Sequence, residues 1–258
     1  WKHHPVADQS ADSLQLSTKK FYQKVPSDFI KLTPAGNYQI AERGGVAHWG
    51  NDVLGRREFS KRFVNSESDF RMLLDFPLAL TQLEKQMIIA AESLIISEKR
   101  PVYVTIFPPL TQLLMLAGQS MLLKSIEQCP ELVRSVLNRL VEMTKLLILE
   151  YMKVGVRYFY IAFQHRSEMV LPVKDYAFLA DQSDAIIIDF IRCKFPENNH
   201  YPNIILHFHG NRVYFFDVVD DENIAVHFEL TRDNPSLGDI CDKRNNELVI
   251  GLSLDFWE

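Results

Sequence analysis

Apolar residues in this chain gather in short runs that alternate with longer stretches of helical periodicity. The runs are five to eight residues long, nearly continuous, and rich in β-branched and aromatic side chains. They occupy residues 29–33, 102–107, 156–163, 204–208, 224–228 and 248–252. Strands that are apolar on both sides are typical of a parallel sheet with both of its faces covered.

The clearest predicted helix covers residues 130–154. Pro130 suits a first helical position, Glu131 suits the positive end of the helix dipole, and Gly155 suits a helix end. Its apolar side chains recur every three or four residues, which predicts one buried face. Shorter helices are predicted over residues 110–120 and 178–192.

Strands that alternate with helices predict βαβ units and a parallel sheet. The alternatives are a (β/α)8 barrel and a doubly wound open sheet. No glycine-rich phosphate fingerprint follows any of the runs, which weakens the nucleotide-binding open sheet. The sequence therefore favours an α/β protein with a TIM barrel, whose active site would lie at the carboxyl ends of the strands.

Composition narrows the class of protein. The 258 residues suit one domain over residues 1–258, with 47% apolar and 24% charged residues and a net charge of −5. The charge is scattered, so no nucleic-acid surface is expected. Three distant cysteines indicate no disulfide framework, which favours the cytoplasm, and no apolar run is long enough to predict a membrane helix.

Polar residues at the ends of the predicted strands are the candidate site. His207, Gln164 and Glu229 are the predicted catalytic residues. The predicted substrate-binding residues are Trp1, His3, His4, Asn37, Tyr38, Phe107, His165 and Asp255. Each has a plainer interpretation, since Gln164 could simply bond to backbone groups and carboxylates at such positions are often solvated or paired.

His207 and His209 are two residues apart on a predicted strand, so their side chains should point to the same face. Two imidazoles with a third ligand could bind zinc in an open catalytic site. The alternative is a pair of hydrogen-bonded polar residues in the barrel mouth.

Several segments together resemble one family. They are Trp-Lys-His-His-Pro at residues 1–5, Phe-Ile-Lys-Leu-Thr-Pro at 29–34, Phe-Pro-Pro-Leu-Thr-Gln at 107–112 with Leu-Ala-Gly at 116–118, and Leu-His-Phe-His-Gly at 206–210. Their order and spacing are similar to those of the uroporphyrinogen decarboxylase superfamily. The resemblance implies a (β/α)8 barrel, and it implies either a porphyrin-pathway lyase or a corrinoid-linked methyltransferase.

The resemblance favours the methyltransferase branch. The decarboxylases carry an arginine-rich segment after their first strand for substrate carboxylates, whereas this chain has His3 and His4 there. The methyltransferases bind zinc through a His-x-Cys pair and a later cysteine. His207 matches that histidine, but His209 replaces the cysteine.

The resulting expectation is an enzyme that moves a methyl group between a corrinoid and a small thiol. A corrinoid protein and a second copy of the chain are the expected partners, with zinc and a corrinoid as cofactors. The alternatives are a true uroporphyrinogen III decarboxylase and a non-catalytic relic of the fold. Because an incomplete barrel would leave sheet edges open, we also expect the gene to encode further residues at both ends, or a neighbouring chain to cover the gap.

Overall fold

A six-stranded parallel sheet is the centre of the fold. The computed structural model describes residues 4, 7–25, 27–34, 36–49, 57–166, 170–180, 183–195, 202–208, 224–230 and 248–252. The sheet runs in the order β1 (Ile30–Leu32), β4 (Val102–Ile106), β5 (Tyr158–Phe163), β6 (Ile204–Phe208), β7 (Ile224–Leu230) and β8 (Leu248–Leu252). All five pairings are parallel. The six predicted strands and their parallel arrangement are confirmed.

The strands follow one another in sequence order across this sheet, as they do in a barrel. Right-handed crossovers in one direction place the connecting helices on a single face of such a sheet. Within the described strands, β1 and β8 are the two edges. A mostly parallel α/β architecture is therefore established, whereas closure into a ring of eight strands stays a prediction.

The two faces of the sheet differ in chemistry. One carries only apolar side chains on β4 to β6, such as Val104, Ile161 and Leu206. The register places Lys31, Thr105, Tyr160 and His207 on the opposite face, because paired residues of neighbouring parallel strands share a face. We call this second side the polar face.

An antiparallel hairpin of β2 (Val46–Trp49) and β3 (Arg57–Lys61) follows β1 and forms its own small sheet. The strand pattern of the sequence did not predict it.

The helices are α1 (Ala11–Lys24), α2 (Glu67–Leu74), α3 (Gln82–Ser97), α4 (Pro109–Ala117), α5 (Gln119–Gln128), α6 (Pro130–Lys153), α7 (Val173–Ala180) and α8 (Asp184–Arg192), with a 3-10 turn at Ala7–Gln9. Among the residues that the structure describes, no helix is long and apolar enough to cross a membrane.

Two of the three predicted helices differ from the structure. The one predicted over residues 110–120 is wrong as a single helix, because the chain turns at Gly118 and continues as α5. Gly118 has a φ of 76° and a ψ of 161°, a conformation that is almost confined to glycine. The one predicted over residues 178–192 is likewise divided between α7 and α8. Helix α6 agrees closely with its prediction.

Helix α6 joins two hydrophobic cores. Its last turns, with Leu147, Ile148 and Tyr151, belong to the core around the parallel sheet. Its first turns pack in a second core with residues of α2, α4, α5 and α7. Because α6 leads into the amino end of β5, its beginning lies towards the carboxyl ends of the strands. The second core is therefore a cap at the end of the sheet where a barrel enzyme binds its substrate.

Candidate functional site

His207 lies at the carboxyl end of β6 on the polar face. Its ring stacks on that of Tyr160 of β5, with 5.3 Å between the centroids and 29° between the planes. His207 is 9% exposed and Tyr160 is 2% exposed. The register partner of His207 on β5 is Ala162, which has a small side chain. On β7 its register partner is His227. The packing therefore fixes the imidazole in a nearly buried position.

Lys31 approaches the same tyrosine on the same face of the sheet, but from the β1 side. Its Nζ lies 3.8 Å from the centroid of the Tyr160 ring. Thr105 of the intervening strand β4 is the register partner of Tyr160, and its short side chain bonds to the carbonyl oxygen of Leu32 at 3.0 Å. The polar face therefore carries a row of Lys31, Tyr160 and His207 that crosses the sheet from β1 to β6.

A buried hydrogen-bond network lies where β5 ends. The Nδ1 atom of His165 is 2.7 Å from the Thr111 hydroxyl, and Nε2 is 2.9 Å from a carboxylate oxygen of Asp184. A carboxylate only accepts, so Nε2 carries a hydrogen, and in the neutral ring Nδ1 accepts from the hydroxyl of Thr111. Thr111 also accepts from the backbone N–H of Gln164 at 3.1 Å. The network thus holds the start of the loop after β5.

Arg166 and Tyr176 complete this network. The Tyr176 hydroxyl accepts from the Arg166 guanidinium and donates to Asp184 at 3.3 Å. Burial alone would raise the pKa of Asp184, but the charges and hydrogen bonds of His165, Arg166 and Tyr176 outweigh it and hold that pKa below its ordinary value. The carboxylate therefore stays ionised although it is buried.

The end of β4 is held by two glutamines. The side-chain amide of Gln39 accepts from the Phe107 N–H at 2.6 Å and donates to the Phe107 carbonyl at 3.2 Å. Gln112 donates to the same carbonyl at 2.8 Å and to the hydroxyl of Thr144 in α6 at 2.8 Å. These bonds satisfy backbone groups that lie beyond the sheet ladder.

A second buried network lies behind Gln39. The Tyr38 hydroxyl donates to the carbonyl oxygen of Thr105 at 2.8 Å, and burial raises its pKa well above the usual value, with Tyr151 and Glu84 adding to the effect. Arg43 pairs with Glu84 at 3.0 Å, with both side chains almost completely buried. Burial raises the pKa of Glu84 although Arg43 opposes it.

The predicted site residues fall into three groups. His207, Gln164 and Phe107 lie at the carboxyl ends of neighbouring strands, and His165 sits beneath them without any exposed surface. Asn37 and Tyr38 are buried in the turn after β1, whereas His4 is exposed beside the 3-10 turn. Glu229 is described only as part of β7. Trp1, His3, His209 and Asp255 lie outside the described residues.

The structure adds residues that the sequence did not single out. Lys31 and Tyr160 lie on the same face of the sheet as His207. The alternation of side chains between the two faces along each strand is the signal that could have identified them. Asp184 lies 19 residues after His165 and reaches it only because α8 packs beside the end of β5. No local pattern in the sequence predicts that contact.

The predicted zinc needs at least three protein ligands in a catalytic site. The described residues contain no group of three histidine, cysteine, aspartate or glutamate side chains that could hold a metal. His207 is the described member of the predicted pair. The described residues therefore do not fit a zinc site by themselves.

Comparison with solved structures finds a fold likeness. A methyltransferase from Methanosarcina mazei matches with a TM-score of 0.63 and 12% sequence identity. The match covers 81% of this chain but only 59% of the methyltransferase, so the chain spans less than two thirds of that protein. No protein-family model matches the chain, and no curated protein matches it. At this identity the likeness establishes the fold.

Proposed function

We propose that this chain is a methyltransferase-like enzyme of the uroporphyrinogen decarboxylase superfamily, moving a methyl group between a corrinoid and a small thiol. The observation that carries the proposal is the position of His207. It lies, 9% exposed, at the carboxyl end of a parallel strand, in a fold shared with a methyltransferase. In barrel enzymes this end of the sheet is where catalytic side chains lie.

His207 is suited to take the proton of the thiol. A neutral imidazole has one nitrogen that accepts, and the stacked Tyr160 ring limits how the imidazole can turn. Once the thiol has lost its proton, the electron pair left on its sulfur forms a bond to the methyl carbon. The bond between the methyl group and its donor breaks, and the electrons of that bond stay with the donor. When bound, a corrinoid would supply the methyl group in a form that a thiolate can attack.

Gln164 is suited to orient the thiol. Its backbone is fixed by Thr111, and its side chain is only partly buried beside the polar face. Glu229 follows His227 by two residues on β7, and its role as a further acid or base stays part of the proposal. His165 has both ring nitrogens bonded to protein groups, so we assign it to positioning Gln164 rather than to contact with substrate.

Zinc bound by His207 and His209 remains a separate part of the proposal. Because the described residues offer no group of three ligands, no step of the reaction is derived through a metal. Metal analysis of the purified chain at neutral pH tests it. Zinc at one equivalent that falls in a His207→Ala variant supports it, whereas a metal-free chain that takes up no zinc contradicts it.

No observation favours decarboxylation of a polycarboxylate. The two arginines that are buried in the described part of the chain, Arg43 and Arg166, already face Glu84 and Asp184, at 3.0 Å and 3.7 Å. Such a substrate would need cations that are not already engaged in this way.

One assay separates these functions. The purified chain is incubated with methylcobalamin and 2-mercaptoethanol, and the methyl thioether is measured by mass spectrometry. A parallel reaction supplies uroporphyrinogen III and measures loss of carbon dioxide. Methyl thioether without decarboxylation supports the proposal, decarboxylation alone replaces it, and a chain that does neither supports a non-catalytic role.

A further inference from the structure

A cavity of about 450 Å³ lies in the cap, between the segment that follows β3 and the junction of α4 and α5. None of the residues that line it takes part in the proposed reaction. Buried apolar side chains form part of its lining, with Val64 at 1% and Ala117 at 6% exposure. The backbone N–H of Val64 donates to the carbonyl of Leu116 at 3.1 Å, which holds the segment against α4. The cavity is of a size that suits a small molecule.

The charged side chains that line this cavity have one sign. Of the described residues around it, Arg62 and Lys124 are cationic and none is acidic. No ion pair among the described residues includes either of them. Asp69 accepts from the backbone N–H of Asn65 at 2.8 Å, but it does not line the cavity. The cavity therefore carries two positive charges without a carboxylate of its own.

The guanidinium of Arg62 is held in place by neutral groups. One of its N–H groups donates to the carbonyl of Met115, and its carbon lies 5.7 Å from the centroid of the Phe59 ring. Neither contact supplies a negative charge. Partial burial lowers the pKa of Arg62, as expected where a cation loses water without gaining a counter-charge. A guanidinium has five N–H donors, so Arg62 can bind an anion while it keeps its bond to Met115.

The start of α5 adds to this positive charge. Its N-cap is Gly118, which has no side chain to accept from the first N–H groups of the helix. Gln119, Ser120 and Met121 of the first turn line the cavity. The positive end of the helix dipole therefore lies on the same side as the two cations and favours the same sign of ligand.

We propose that this cavity binds the phosphate group of a small phosphorylated molecule between Arg62 and Lys124. A phosphate monoester carries nearly two negative charges and matches the two cations, and a guanidinium binds phosphate through paired hydrogen bonds. The apolar side chains of Val64, Ala117 and Met121 suit the organic part of such a molecule. The proposal does not rest on methyl transfer, because its residues lie apart from His207 and the polar face.

Calorimetric titration of the full chain tests the ligand class. Phenyl phosphate, inorganic phosphate and phenol are titrated separately at constant ionic strength and about pH 7.5, where a phosphate monoester is close to doubly charged. Phenyl phosphate should bind at one equivalent, more tightly than inorganic phosphate, and phenol should not bind. Binding of phenol as tight as that of phenyl phosphate, or no binding of phenyl phosphate, overturns the proposal. Inorganic phosphate that binds as tightly as phenyl phosphate overturns the assignment to an ester.

Variants of the two cations test the location. Arg62→Gln should weaken phenyl phosphate binding by about tenfold or more, because a charged hydrogen-bond donor is lost. Lys124→Gln should weaken it by about 2-fold to 5-fold, because Lys124 is exposed. Lys85→Gln is the matched control, since Lys85 is an exposed lysine of α3 and should leave binding unchanged. Equal binding by the Lys124 and Lys85 variants contradicts the location.

A pair of variants at Ser120 tests the charge of the site without removing Arg62. Ser120 is exposed, lines the cavity and lies in the first turn of α5, where a glutamate is favourable for the helix. Ser120→Glu should weaken phenyl phosphate binding by about tenfold or more, since it places a negative charge in the cavity. Ser120→Gln has the same size without the charge and should bind within about threefold of the unaltered chain. Equal binding by the two Ser120 variants overturns the proposal.

Discussion

The imidazole Nε2 of His165 donates to the Asp184 carboxylate across 2.9 Å, and neither side chain is more than 3% exposed. This bond joins the loop after β5 to the first turn of α8. Arg166 shares the same carboxylate at 3.7 Å. Asp184 thus faces a guanidinium that is almost completely buried.

Replacing Asp184 with alanine should lower the free energy of unfolding by about 3–5 kcal/mol, because it breaks the buried pair with Arg166 and removes the carboxylate that His165 and Tyr176 bond. Urea denaturation measures the loss. Asp189→Ala on the same helix is the matched control, since Asp189 forms an exposed pair with Arg192 and should cost less than about 0.5 kcal/mol. Equal losses for the two variants would contradict the role given to Asp184.

The stabilising effect of Asp184 should depend on pH in one direction. Its pKa is lowered in the folded chain, so its contribution is complete above the unfolded value of about 3.9 and is lost as the pH falls through the lower folded value. The difference in unfolding free energy between the unaltered chain and Asp184→Asn should therefore be constant from about pH 7 to 5 and shrink below about pH 4. Urea unfolding across that range tests this, and a difference that grows on acidification would be inconsistent with it.

Gly118 should resist substitution. An alanine there would have to adopt a φ of 76° with a ψ of 161°, at a cost of about 1–3 kcal/mol, although the nearest atom to its Cβ would be 3.5 Å away. Gly36→Ala is the control, because no atom lies within 4 Å of its added Cβ and its φ is not positive. Thermal unfolding should rank the Gly118 variant clearly below the Gly36 variant. The reverse order would show that strain at the α4–α5 junction is not the cause.

Gln39→Leu should cost about 1–3 kcal/mol, because it leaves the buried N–H of Phe107 without an acceptor. The carbonyl of Phe107 keeps its bond from Gln112. Gln128→Leu, at the exposed end of α5, removes an amide of the same size and is the control for urea unfolding. Amide hydrogen exchange at Phe107 should accelerate in the Gln39 variant alone, and unchanged exchange there would contradict this assignment.

The sequence predicts the sheet well because strands such as β4 and β6 are apolar at all but one position, a pattern that is typical of strands buried on both faces. The hairpin of β2 and β3 was missed because β3 carries charges such as Arg57 and Lys61 and so lacks the apolar run that marks the other strands. Gly118 divides a run of helical periodicity that would otherwise continue, so the periodicity alone predicted one helix where there are two.

Part of the candidate site was predictable from local rules. Side chains alternate along β6, and barrel active sites lie at the carboxyl ends of the strands, and these two rules led to His207 and Gln164. The partners of His165 were not predictable, because Thr111, Tyr176 and Asp184 come from three different helices and meet only through packing. Strand parity alone also does not reveal that the Lys31 side chain crosses β4 to reach Tyr160.

The most direct test of the proposed function compares His207→Ala with His48→Ala in the methyl-transfer assay. His48 is an exposed histidine of the β2–β3 hairpin and controls for the substitution itself. The unaltered chain should form the methyl thioether, His207→Ala should lower kcat/KM by at least about 100-fold because a proton-accepting group is lost, and His48→Ala should leave it unchanged within about twofold. Equal rates for the His207→Ala and unaltered chains, or no methyl thioether from the unaltered chain, would contradict the account.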